Sequence, residues 1–493
     1  MTKLAHNLYR AEQVRAMDDY AINQLGISGT VLMERAGSAA FETLQKRWPQ
    51  AKSVAVVCGT GNNAGDGFVF ARLAKEAGLG VDVLQVGDSQ RLQGDAFAAA
   101  QRLQSVGIDA TEFTVPKCHQ VDVIVDALLG TGLTREISDD YFTVIKAINS
   151  CGKPILALDI PSGLNANTGK VENIAVKANV TVTFIGNKQG LFSGDAWDYC
   201  GEQVFDSLSV PSVVYEQTTC GVEQINYEKL KSILKPRVLN SHKGHYGHVL
   251  IVGGEAGFTG AARMAGEAAA RVGAGLVSLA TRKEHAASLN ATRPELMVHG
   301  IDGEKAFQQL AERADVIAIG PGLGQSEWAR QLLTYALDSG LPLIVDADAL
   351  NLLSAEPQKR ENWILTPHGG EAARLLGKST QEIAENRFTT ARTLQSEFGG
   401  IAILKGAGSL VCSNDEPMFL CTGGNPGMAS GGMGDVLTGV IAGLVAQEIE
   451  LLDAASLGVC LHAAAGDGAA AAAGRRGLLA SDLMSWVRRL ANP

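Results

Sequence analysis

Asp435 follows Gly431, Gly432 and Gly434 in GGMGDVLTGVIAGLVAQ, a carboxylate set at the start of an apolar helical run. The start of a helix leaves main-chain N–H groups without partners, and glycines let a ligand approach them closely, so an anion can be held there. A carboxylate beside such donors can take a proton from an attacking hydroxyl, or it can be a plain helix cap. Upstream, IAILKGAGS delivers Lys405 from a strand into Gly406-Ala407-Gly408-Ser409, a turn able to hold a nucleotide phosphate or an ordinary surface loop with a solvated lysine. TPHGGE puts His368 and Glu371 just beyond a strand. LIVDADALNLL puts Asp346, Asp348 and Asn351 at another strand end, as phosphate–magnesium neighbours or as helix caps.

A second set of chemically loaded loops lies in the N-terminal half. The strand VAVVCG runs into Gly59-Thr60-Gly61-Asn62-Asn63-Ala64-Gly65-Asp66-Gly67 and then a helix. VDVIVD ends at Asp126 and leads to Gly130-Thr131-Gly132-Leu133-Thr134-Arg135-Glu136, and ILALDI carries Asp159 before Pro161-Ser162-Gly163. Each aspartate alone could be a turn former, and the glycines lack dinucleotide-fingerprint spacing. Three such loops at the carboxyl edge of one parallel sheet, where α/β proteins bind their ligands, point to a site.

The elements that must position these residues are legible as hydrophobic period. The first 50 or so residues read as helical through VRAMDDYAINQLG and VLMERAGSAAFETLQ. Short β-branched runs then alternate with helical stretches: SVAVVCG, VDVLQVG, VDVIVDALLG, PILALDI and VTVTFIG. Near-continuous apolar strands separated by helices predict a parallel sheet covered on both faces. The regularity lapses at VPSVVYEQTTCGVEQ, so a linker is placed at 213–224. A second series follows in HVLIVGG, LVSLAT, ADVIAIG, PLIVDAD, ENWILT and IAILKG. The expected architecture is two three-layer α/β/α domains, over 1–212 and 225–493.

Composition excludes several function classes. With 493 residues, 46% apolar and 19% charged, the chain can bury more than one core, and its formal charge of −10 denies it the cationic surface of nucleic-acid or anionic-membrane binders. A phosphate must therefore be held by local N–H groups and single lysines or arginines. The eight cysteines are scattered without C-x-x-C pairs, and the N-terminus lacks an apolar signal stretch, which together suggest a reducing cytoplasmic setting. The three histidines at 242, 245 and 248 lack accompanying Cys or carboxylate, so they read as a lead-in to a strand and not as a metal site. Gly253 to Gly260 reads as a turn lining a cleft.

CGTGNNAGDGFVFAR, DALLGTGL and LDIPSGL together resemble the epimerase domain of the bifunctional NAD(P)H-hydrate repair enzymes, a Rossmann-like domain. The resemblance implies that Asn62, Asn63, Ala64, Gly65 and Asp66, Gly130 to Glu136 and Asp159 bind the hydrated dinucleotide. Asp159 would act as general acid/base, and Asn63, Asp126 and Ser162 would hold a potassium ion that positions the loops. IGPGLG, DADALNLL, TPHGGE, KGAGS and GGMGDVLTG resemble the dehydratase domain of the same family, which is ribokinase-like. There Lys405, Gly406, Ala407, Gly408, Ser409 and Gly434 would bind the adenine nucleotide with Mg2+, and Ala262, Gly324, His368 and Asp435 the substrate, with Asp435 catalytic. The two-domain arrangement favours ADP over ATP. The implied partners are NADHX, NADPHX and adenine nucleotide, without nucleic acid or membrane, in a homo-oligomer. The rival readings are a hydroxymethyl kinase fused to an inactive partner, and a first domain kept as a binding module.

Overall fold

The computed structural model describes residues 6–133, 136–137, 139–291, 293–415 and 417–493, so Thr134 and Arg135 of the expected substrate loop lie outside the described residues. The chain divides into two compact units, Met1–Val222 and Glu223–Pro493.

In the first unit the helices Ala11–Asn23 and Gly29–Arg47 precede a parallel sheet. Its strands run in the order Thr111–Glu112, Gly80–Gln85, Ser53–Cys58, Val123–Ala127, Ile155–Leu158, Val180–Phe184, Glu202–Asp206. Every pairing in this sheet is parallel. The order reverses between Ser53–Cys58 and Val123–Ala127, which opens a crevice where the loops after those two strands diverge. Both loops belong to the loaded set read from the sequence. Strand Glu202–Asp206 escaped that reading because EQVFD is half polar and packs as an edge. The segment 213–224 begins with the turn Val213–Glu216, whose Val214 and Tyr215 are buried in this unit's own core.

The second unit repeats the plan with a different finish. Strands Met297–Gly300, Leu276–Thr281, His248–Val252, Val316–Ile319, Leu343–Val345, Trp363–Leu365 and Ile401–Leu404 are parallel neighbours in that order. An antiparallel pair, Ser409–Cys412 and Met418–Cys421, then extends the sheet. That hairpin went unseen in the sequence because no helical stretch separates its strands from each other or from Ile401–Leu404. The helix Met433–Ala446 packs against Thr259–Val272 with almost no gap: a Cβ on Gly439 would lie 2.0 Å from the Ala265 carbonyl oxygen. Glycine on this face lets the two backbones touch, which fixes where the helix begins and therefore where Asp435 stands. Among the described residues no helix is long and apolar enough to cross a membrane.

Candidate functional site

The first unit holds a cavity of about 660 Å³ at its crevice. Thr60 to Asn63 and Asp66 line it from the loop and helix after Ser53–Cys58, Leu128 to Leu133 from the loop after Val123–Ala127, and Asp159 from the end of Ile155–Leu158. Asp159 takes a left-handed backbone (φ 66°), which an L-residue adopts only where its surroundings impose it. Its Oδ1 accepts a very close hydrogen bond from the Lys188 ammonium and longer ones from Thr183 Oγ1 and the Phe184 N–H, both at 3.4 Å. Lys188 is 1% exposed and also donates to Thr183 Oγ1 and the Phe184 carbonyl, each at 3.0 Å. Sequence reading missed this lysine, since nothing in NKQG distinguishes a buried cation from a solvated one.

Two further carboxyls face the same space. Burial pushes Asp66 well above the usual carboxylate range, with Asp159 and Asp18 adding to the push. Asp18, on helix Ala11–Asn23, is raised to about 6, chiefly by burial. Ala64 and Gly65 are not among the residues that line the cavity. Ala64 is fully buried, and a Cβ on Gly65 would lie 2.5 Å from the Met33 thioether, so these positions serve helix packing.

Behind the cavity floor, Asp126 is 0% exposed. It accepts from the Ser162 N–H at 2.8 Å, the Ser162 hydroxyl at 2.6 Å and the Leu128 N–H at 3.2 Å. Asn63 donates through Nδ2 to the Leu129 carbonyl at 3.1 Å, while its buried Oδ1 has no hydrogen-bond partner. An orphaned buried oxygen next to a buried carboxylate, a hydroxyl and a carbonyl is a donor set suited to a hard cation of low charge. Asn63 and Ser162 both bond the Leu129 backbone, and Ser162 bonds Asp126, so the three expected ligands are linked around one loop.

In the second unit, Gly432 (φ 90°) turns the chain into helix Met433–Ala446, so the first N–H groups face outward beside Asp435. Burial, reinforced by Asp346, pushes Asp435 up to about 7. Lys405 donates to Asp346 Oδ1 at 2.6 Å and lies 3.8 Å from Glu371. Asp346 also accepts from Thr366 Oγ1 and Thr438 Oγ1, both at 2.8 Å, and although burial opposes it these partners hold its carboxyl below the ordinary range. Asp346 is therefore the anchor of Lys405, fully engaged within the protein. Asp348 accepts from the Gly324 N–H at 2.9 Å.

His368 caps helix Gly369–Leu376. Its Nδ1 accepts from the Gly370 and Glu371 N–H groups, and Glu371 accepts from the His368 N–H, while the ring stays half exposed. Gly324 lies beside Glu255, which pairs with Arg282 at 2.7 Å. Ala262 is 0% exposed beneath the Gly253–Gly254 turn. His248 has both ring nitrogens committed, at 2.8 Å each, to the Arg313 carbonyl and Ser278 Oγ, which accounts for it structurally.

The Gly406–Ser409 turn is closed by Ser409 Oγ, which accepts from the Gly406 N–H at 3.3 Å and donates to its carbonyl at 3.1 Å. From below, the buried guanidinium of Arg387 donates to the carbonyls of Leu404, Lys405 and Gly408, at 3.3, 3.4 and 2.9 Å. Burial lowers Arg387 to about 10, still charged at neutral pH. Sequence reading missed this clamp because RFTTART reads as an ordinary amphipathic helix. If the turn holds a nucleotide as the resemblance implies, Arg387→Met should leave it unsupported and raise the nucleotide KM about tenfold at little cost in kcat, measured by initial rates over a nucleotide titration.

Comparison with known proteins bears on both units. Residues 249–489 match the family model described as NAD(P)H-hydrate dehydratase, and residues 29–190 match that described as YjeF-related protein N-terminus. The chain is 47% identical to the bifunctional NAD(P)H-hydrate repair enzyme Nnr of Coxiella burnetii, with 99% of both chains covered. It is 45% identical to the protein of the same name from Escherichia coli, covering 99% of this chain and 95% of that one. A ribokinase-like superfamily protein from Enterococcus faecalis is 31% identical, with a TM-score of 0.51, covering 56% of this chain and 99% of that one.

Proposed function

The chain belongs to the bifunctional NAD(P)H-hydrate repair enzymes, and on that premise we propose that its two clusters of carboxylates and main-chain donors are the epimerase and dehydratase sites respectively. The enzyme repairs hydrated NADH and NADPH, and its second domain is ribokinase-like. The observation that carries the site assignment is Asp435, half-buried beside the open N-terminus of a helix and next to an anchored lysine.

In dehydration, the C6 hydroxyl of the S hydrate attacks the terminal phosphoryl group of ADP, and Asp435 takes the hydroxyl proton. The N–H groups at Met433 to Asp435 stabilise the charge that develops on phosphate. Lys405, fixed by Asp346, supplies a positive charge at the same point. Phosphate then leaves C6 with the electron pair of the C–O bond, the ring nitrogen lone pair fills the gap, and loss of a ring proton restores the dihydronicotinamide. AMP and phosphate are the other products. Among the described residues no three His, Cys, Asp or Glu side chains are grouped to hold a metal, so Mg2+ would arrive on the nucleotide phosphates. In the first unit Asn63, Asp126 and Ser162 would hold K+, whose charge would keep the two loops in register. The formal charge of −10 fits an enzyme of small molecules and not a nucleic-acid binder.

A base must be ionised to act, and Asp435 is raised to about 7. The kcat/KM for dehydration should accordingly fall about tenfold per pH unit below 7 and level off above it. A profile flat from pH 5 to 8 would remove Asp435 from the role. The overall reading is tested by supplying a mixture of R and S hydrates with ADP or ATP and following recovery of dihydronicotinamide absorbance. Complete recovery requires both activities. Recovery that stops at the S fraction, apart from slow spontaneous inversion, leaves the chain a dehydratase only.

A further inference from the structure

Inversion at C6 needs two proton carriers. On one face the C6–O bond breaks with its electrons moving to oxygen, which takes a proton and departs as water while the ring nitrogen lone pair fills the vacancy. On the other face a water adds to C6 and gives up a proton. One proton passes from an acid to a base, nothing is oxidised or reduced, and solvent supplies one water for the one released. Asp159 alone cannot serve both events. Its Oδ1 already accepts from Lys188, Thr183 and Phe184, which makes it the accepting member of the pair.

We propose that Asp18 is the second proton carrier of epimerisation, acting from the helical wall of the cavity while Asp159 acts from the strand-end wall. Val14, Arg15, Asp18 and Ile22 of helix Ala11–Asn23 line the cavity together with Asp159, Asp66 and Lys188. Three carboxyls, those of Asp18, Asp66 and Asp159, therefore meet a single buried ammonium, and charge balance with that ammonium leaves two of them protonated. Asp18 responds to Lys188 and to Asp159, which places it within electrostatic reach of the pair. The charged groups facing it are Arg15 and Asp19 on its own helix, Asp66 on helix Asn62–Glu76, Asp159, Lys188, and the Tyr215 hydroxyl from the turn Val213–Glu216. Asp18 is raised to about 6, so it can exchange its proton with water between turnovers, while burial raises Asp66 as well.

The proposal rests on the first unit being the epimerase. The full-length enzyme and its Asp18→Asn, Asp66→Asn and Asp159→Asn variants are given the R hydrate, and appearance of S is followed by chromatography. Asp18→Asn should lower kcat about a hundredfold with KM within twofold and dehydration unchanged. Formate should restore activity to Asp18→Ala in proportion to its concentration, which a merely structural aspartate would not allow. Asp18→Asn keeping more than a third of wild-type kcat, or Asp18→Ala lacking formate rescue while its melting temperature falls, overturns the role of Asp18. Should Asp159→Asn also remain fully active, the location of the epimerase site itself is wrong.

Discussion

Asp435→Asn abolishes dehydration of the S hydrate, by roughly 10³-fold or more in kcat, and leaves epimerisation at the wild-type rate. The amide keeps the shape of the carboxyl at the start of helix Met433–Ala446, so the N–H groups that face the phosphate stay where they are. What disappears is the proton acceptor, used only as the hydroxyl attacks, and the nucleotide KM should therefore move by less than twofold. Stability should move the other way. A carboxyl whose folded pKa is raised to about 7 stabilises the fold fully below the ordinary aspartate range, and that contribution is lost as pH rises through 7. Asp435→Asn, which cannot ionise, should melt higher than wild type at pH 8, and the gain should vanish below about pH 4. A variant inactive and less stable at pH 8 would mean that Asp435 is a structural cap and not a strained catalytic base.

Most of the fold and the outline of both sites were legible in the sequence, for a physical reason. Apolar β-branched runs announce buried parallel strands, and the loops at their carboxyl ends are where polar residues have no packing duty, so Asp126, Asp159 and Asp435 stand out against glycine. The edge strand Glu202–Asp206 was illegible because it is half polar, and the hairpin Ser409–Cys412 with Met418–Cys421 because no helix sets its strands apart. Side-chain partners were illegible as well. Lys188, Arg387 and Thr438 become functional neighbours only through long-range contacts, at separations such as Asp346 to Thr438, which no local pattern encodes. Gly65 carries a packing duty that its loop hides: a Cβ there would lie 2.5 Å from the Met33 thioether.

The mirror variant, Asp159→Ala, should remove epimerisation by about 10³-fold and leave dehydration of the S hydrate intact, since each unit closes its own apolar core and the two chemistries share no described side chain. Its difficulty is that the same change strands Lys188. Leaving one member of a buried ion pair behind costs roughly 3–5 kcal/mol, enough to unfold part of the first unit and imitate a catalytic loss. The double change Asp159→Ala with Lys188→Met separates the two causes. Removing both charges lets the site close around apolar atoms, so thermal stability should return towards the wild-type value. Epimerisation should stay lost, because no proton acceptor remains at the strand end. Recovery of epimerisation together with stability would make Asp159 a structural partner of Lys188, and the acid–base work would then belong to Asp18 and Asp66 alone.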